Sequence, residues 1–105
     1  MSQDRRRARR IVTDLLVNKF IDGLPHANRL VELNPFGCLL ERLLEPSLER
    51  ELYPLEFSLP ASLGGTRLWL WGRPVWTANG RTAMRFVGVD PLDRAALVRL
   101  ADALC

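Results

Sequence analysis

The clearest pattern in the chain is strict alternation over residues 52–59. Tyr53, Leu55, Phe57 and Leu59 fall on one face, and Pro54, Glu56 and Ser58 on the other. That period of two predicts a strand with one buried face, and Pro54 places it at a sheet edge or beside a bulge. Residues 81–87 repeat the pattern, with Met84 and Phe86 on one side and Arg85 and Val87 on the other. Asn79-Gly80 joins this run to 74–78 as a type I′ hairpin, since both residues tolerate positive φ. Upstream, 67–71 reads as a separate strand, divided from 74–78 by Gly72-Arg73. Residues 13–21 predict a first strand ended by Asp22-Gly23 and Pro25, and 28–33 a second. Asn34-Pro35-Phe36-Gly37 is a turn, and 38–43 a third strand. The acidic 44–51 segment with Pro46 reads as a loop.

The period changes at the end of the chain. Asp90-Pro91-Leu92-Asp93 supplies an N-cap, a proline at the first helical position and an acid in the first turn. Leu92, Ala96, Leu100 and Leu104, with Leu97 beside them, form an apolar stripe on a helix over 90–104. About six antiparallel strands followed by one amphipathic helix predict a mainly β fold, a small six-stranded antiparallel β-barrel with the helix packed on it. Trp69 and Trp71 alternate with Leu68 and Leu70, so one pair faces out of a closed barrel. We assign the tryptophans, Trp76 included, to the core or beneath the helix. Facing out, they would make an apolar patch with Arg67 and Arg73 nearby.

A length of 105 residues allows one domain. We divide the chain into an arginine-rich segment, 1–12, and a barrel domain, 13–105. No apolar run approaches the ~20 residues of a membrane span, and the start lacks the apolar core of a secretory signal. The expectation is a cytoplasmic protein. Cys38 and Cys105 lie far apart with no metal-ligand spacing. His26, the only histidine, sits in a Gly-Leu-Pro-His-Ala stretch that reads as a surface turn. Nucleophile elbow, P-loop and dinucleotide fingerprint are all absent, so the chain reads as a binding protein and not an enzyme.

Charge is concentrated. The first ten residues carry five arginines against Asp4, whereas the remaining 95 are close to neutral, although the whole chain has a formal charge of +3. A guanidinium cluster beside a folded element suits planar anionic ligands with paired acceptors. It also reads as a solvated basic tail, or as non-specific attraction to nucleic acid or anionic lipid. Against nucleic acid, the body offers no basic stripe to extend the footprint.

Arg6-Arg7-Ala8-Arg9-Arg10-Ile11, followed by strand, turn, strand and Glu32-Leu33-Asn34-Pro35-Phe36-Gly37, resembles a PilZ domain. That family pairs an N-terminal R-x-x-x-R motif with a downstream D/N-x-S-x-x-G motif on a six-stranded barrel. The late Arg85-Phe86 strand and Asp90-Pro91-Leu92-Asp93-Arg94 entering a terminal helix are similar too. The resemblance implies a receptor for the bacterial second messenger cyclic di-GMP, with no other cofactor and no DNA. It implies a ligand-binding set of Arg6, Arg7, Arg10, Glu32, Asn34 and Gly37. In it, Arg6 and Arg10 grip guanine edges and phosphates, and Arg5, Arg7 and Arg9 support the field. An arginine bonding bidentately to guanine O6 and N7 is worth about 1–3 kcal/mol of discrimination in DNA complexes. Two positions depart from the motif. Glu32 stands where the family has Asp or Asn, extending the carboxylate by one methylene, and Asn34 stands where it has Ser. Two functions follow: a receptor that relays its signal to a downstream protein partner, as in motility regulation, or a degenerate adaptor that binds a partner without nucleotide. With both motif arginines and the glycine present, we favour the receptor.

Overall fold

The structure, a computed structural model, describes residues 15–46 and 48–104. Six strands occur in the order β1 (Leu16–Ile21), β2 (Leu24–Asn34), β3 (Gly37–Arg42), β4 (Tyr53–Ser58), β5 (Arg67–Ala78) and β6 (Arg81–Val87). A 3-10 turn, Ala61–Leu63, lies between β4 and β5, and helix α1, Pro91–Ala103, follows β6. The strands close as β1-β2-β3-β6-β5-β4, each pair antiparallel. The expected barrel with its C-terminal helix is the one observed. The division at residue 12 falls outside the described residues.

Alternation places the core. Val17, Leu30, Leu33, Leu40, Tyr53, Leu55, Phe57, Leu68, Leu70, Met84 and Phe86 point inward and are buried, and Phe57 and Phe86 meet edge-on at 5.8 Å and 82°. Leu30 and Leu33 break the alternation by their spacing, yet both are inward. A bulge at Val31, between Leu30 and Glu32, absorbs the extra residue. Helix α1 begins as its sequence indicates: Asp93 N donates to Asp90 Oδ1 at 2.8 Å, and Pro91 occupies the first turn. Ala96, Leu97, Leu100 and Ala101 join the barrel core, each buried leucine being worth about 1.5–3 kcal/mol. Leu92 does not join it. At 82% exposure it lies off the buried stripe, because steps of four residues drift from a 3.6-residue period.

Three further expectations are corrected. The second strand starts at Leu24, not 28. Asp22 and Gly23, with φ of 53° and 85°, form a tight hairpin that puts Pro25 and His26 into β2 opposite Phe20 and Lys19. His26 is therefore a strand residue and not a turn residue. Runs 67–71 and 74–78 are one strand, because Gly72 is an inward position. A Cβ there would lie 2.7 Å from Leu55 Cδ1, so the glycine makes room for the core and does not break the strand. The prolines sit where a strand has a neighbour on one side only. Pro25 pairs with β1 alone, Pro54 with β5 alone and Pro74 with β6 alone, so no ladder bond is lost.

The barrel's two ends are closed differently. Helix α1 covers the end bearing the β2–β3 turn. At the other end, the 43–52 loop inserts Glu45, whose carboxylate pairs with Lys19 Nζ at 2.6 Å and accepts from Asn28 Nδ2 at 3.0 Å. The Lys19 and Glu45 side chains are 6% and 3% exposed. Tyr53 Oη fixes the loop by accepting from Arg50 N and donating to Leu48 O. Arg50 in turn grips both oxygens of Asp22 at 3.0 and 2.8 Å.

Candidate ligand-binding site

The β2–β3 turn is built by Asn34. Its Oδ1 accepts from Phe36 N at 2.8 Å and Gly37 N at 3.1 Å, a side-chain-closed turn of the kind Asn favours. The turn is held from two sides. Phe36 O accepts from Phe86 N at 2.9 Å. From α1, the Arg94 guanidinium stacks 4.5 Å over the Phe36 ring and donates to Pro35 O.

Gly37 opens β3 beside β6. A Cβ added there would drive into the Met84 carbonyl oxygen, far inside van der Waals contact. The motif glycine is thus required by two strands approaching closely, whatever else the face binds.

Strand register assembles the outer face of β2, β3, β6 and β5 in rows. One row is Glu32, Leu39, Ala83, Trp76; the next is Asn34, Gly37, Arg85, Arg73; a third is Arg29, Glu41, Arg81, Ala78. A shallow cleft of about 260 Å³ is lined by Glu32, Asn34, Gly37, Cys38, Leu39, Trp76, Ala83 and Met84. So three sequence-identified residues, Glu32, Asn34 and Gly37, converge on one cleft. Arg6, Arg7 and Arg10 lie outside the described residues. The described chain begins at Leu15, whose carbonyl accepts from Leu30 N at 3.0 Å, two residues before Glu32. Arg10 lies five positions before Leu15, a reach of up to about 17 Å when extended.

Trp76 was missed by the sequence reading, and the cause is local. Inward positions on β5 are Leu68, Leu70, Gly72 and Pro74, which would carry Trp76 inward as well. A register shift between Pro74 and Trp76 inserts Val75 and turns the indole out to 50% exposure. A one-residue shift exchanges faces. Trp69 and Trp71 also face out, at 52% and 53% exposure, so the core assignment of all three tryptophans is corrected. Arg73 and Arg85 were not placed in the ligand set either. They stand directly opposite each other, both exposed, and neither pairs with a described carboxylate. Like charges so placed repel and favour an anion between or beside them.

Two other groups on these strands, Cys38 on the inner face and Glu41 on the outer, are already committed. Burial pushes the Cys38 thiol well up, which keeps it protonated and unreactive. Glu41 accepts from Arg29 Nη2 and from Arg81 Nε. The Arg29 hydrogen bond foremost holds its carboxyl below the ordinary 4.5, against an opposing desolvation. A depressed folded pKa stabilises above the unfolded value and loses that stabilisation as pH falls through the folded one. Glu41→Gln is therefore expected to flatten the loss of stability below about pH 4.5, read by denaturant unfolding at a series of pH values.

The sequence matches no family model and no curated protein. By structure, the chain is similar to the crystal structure of the PilZ domain of CeSA from a cellulose-synthesizing bacterium. The TM-score is 0.61 over 86% of this chain and 89% of that one, at 17% identity. The fold is that of a PilZ domain. Within this PilZ-like barrel, the cleft lies on the outer face beside the β2–β3 turn. None of the helices among the described residues is long and apolar enough to cross a membrane.

Proposed function

We propose that this PilZ barrel is a receptor for cyclic di-GMP, with the β2–β3–β6 face as its nucleotide site, and that it relays occupancy by contact with another protein. One observation carries the reading: an exposed carboxylate, Glu32, and an exposed indole, Trp76, flank a single cleft in the same cross-strand row. A carboxylate accepts from guanine N1–H and N2–H, and an indole gives the base a stacking surface. No described cation pairs with Glu32. Arg85, next to Gly37, adds charge for a phosphate. Arg6, Arg7 and Arg10 would close over the ligand from a segment that joins the barrel beside Leu30.

A second reading rests on Asn34. Its amide oxygen is spent on two backbone N–H groups, which leaves Nδ2 as its contribution to any ligand. This favours an adaptor that binds a protein without nucleotide.

Calorimetric titration separates the two. The wild type is expected to bind cyclic di-GMP, and Arg6→Ala or Arg10→Ala to weaken binding by about five- to hundredfold each. Trp76→Ala should cost a similar factor through lost stacking. No heat at ligand concentrations up to about 1 mM would leave the adaptor reading standing.

A further inference from the structure

A second surface lies on β5, displaced from the cleft. Arg67, Trp69, Trp71 and Arg73 alternate outward along one strand, all exposed, and at about 3.3 Å per residue the row is roughly 20 Å long. Phe20 of β1 widens it, its ring 5.3 Å from that of Trp69. Pro54, opposite Trp71 on β4, and Val87, opposite Trp71 on β6, extend it across the barrel. Two half-exposed tryptophans side by side are a costly surface to leave in water, and such patches mark interaction sites.

We propose that this row docks an amphipathic helix of a different protein, with bulky apolar side chains along its centre and carboxylates about 14 residues apart to meet Arg67 and Arg73. That spacing follows from the 20 Å row and a helical rise of about 1.5 Å per residue. The inference deepens the relay in the receptor reading, and it stands equally under the adaptor reading. Charge selects the occupant. Arg73 pairs with no described carboxylate, and Arg67 pairs with Glu56 at 3.2 Å while keeping 70% side-chain exposure. A second copy is disfavoured, because laying row on row in either direction sets arginine against arginine. The first ten residues of this chain, with five arginines against one acid, carry the wrong sign. At the centre of the row, Trp71 and Gly72, β5 is paired on both sides, with β4 and with β6, so a partner meets the side-chain face and not one continuous strand edge.

The test is an NMR titration of the isotope-labelled full chain with a synthetic amphipathic helix of that design, and with a counterpart whose glutamates are replaced by lysines. The glutamate peptide is expected to shift the Trp69 and Trp71 indole N–H signals and the Phe20 ring, and to leave Trp76 unmoved. Trp69→Ala/Trp71→Ala should weaken binding by about tenfold or more, and Arg73→Glu should reverse the preference between the peptides. These are outward positions, so thermal unfolding should confirm that both variants remain folded. Equal binding of the two peptides, shifts centred on Trp76, or no shift up to about 1 mM peptide would each overturn the proposal. So would self-association of the protein that the tryptophan substitutions abolish. Cyclic di-GMP calorimetry on Trp69→Ala/Trp71→Ala should match the wild type, so failure of the nucleotide site and failure of this surface give different results.

Discussion

Glu45→Gln should destabilise the barrel by about 3–5 kcal/mol, the cost of leaving one partner of a buried ion pair uncompensated. In a domain of this size that is a fall in melting temperature of at least about 12 °C. Glutamine keeps the shape and keeps an oxygen for Asn28 Nδ2, so the substitution isolates the charge. Lys19 would then face an interior in which the Tyr53 ring, 4.8 Å from Nζ, is the nearest compensation, worth about 0.5–2 kcal/mol. Lys19→Met with Glu45→Gln removes the orphaned cation and should recover most of the loss. Chemical denaturation of both variants checks this: a single variant within about 0.5 kcal/mol of wild type would mean that water screens the pair.

That ion pair also shows where reading the chain stops. Lys19 and Glu45 are 26 positions apart, one on a strand and one in an irregular loop, and no periodicity connects them. The 44–51 loop was legible as a loop; its role as a polar plug was not. By contrast β4, β6, the Asn79-Gly80 hairpin and the Asp90 cap follow from short-range chemistry and appear where expected. Asn79 and Gly80 take φ of 55° and 77°, as a primed turn requires. Errors arose where one residue type serves two purposes. Asp22-Gly23 and Pro25 look like a terminator, yet the first pair is a hairpin and the proline sits on a one-sided strand segment. Gly72 looks like a break, yet it clears space for Leu55.

The site divides the same way. The Asn34–Gly37 turn was legible because a turn is local, whereas Glu32 entered the site only through the resemblance of Glu32–Gly37 to the second PilZ motif. Trp76, Arg85 and Arg73 reach the same face through strand pairing and a bulge. Those are tertiary facts, set by which strands meet and in which register. The sign of the tryptophans' orientation had the same origin: the closed barrel fits Leu68 and Leu70 inside, and the indoles must then point out.

Gly37→Ala should be the sharpest single test of how the motif glycine acts. If its purpose were only to let a ligand approach, alanine would weaken binding and leave the fold intact. The geometry says otherwise, because the added methyl meets the Met84 carbonyl oxygen, which is backbone and cannot rotate away. Relief requires β3 and β6 to separate along the row where Gly37 faces Arg85, and the Phe86 N to Phe36 O bond that anchors the turn lies next to it. Overpacking of this kind costs about 1–3 kcal/mol where side chains can adjust, and more where they cannot. We expect about 3 kcal/mol, or at least about 12 °C in melting temperature. Hydrogen exchange should speed first at Phe86 and Gly37, the amides that hold the turn. Any loss of cyclic di-GMP binding in this variant should track the unfolded fraction and be restored by cooling. Unchanged stability with lost binding would return the glycine to a ligand role.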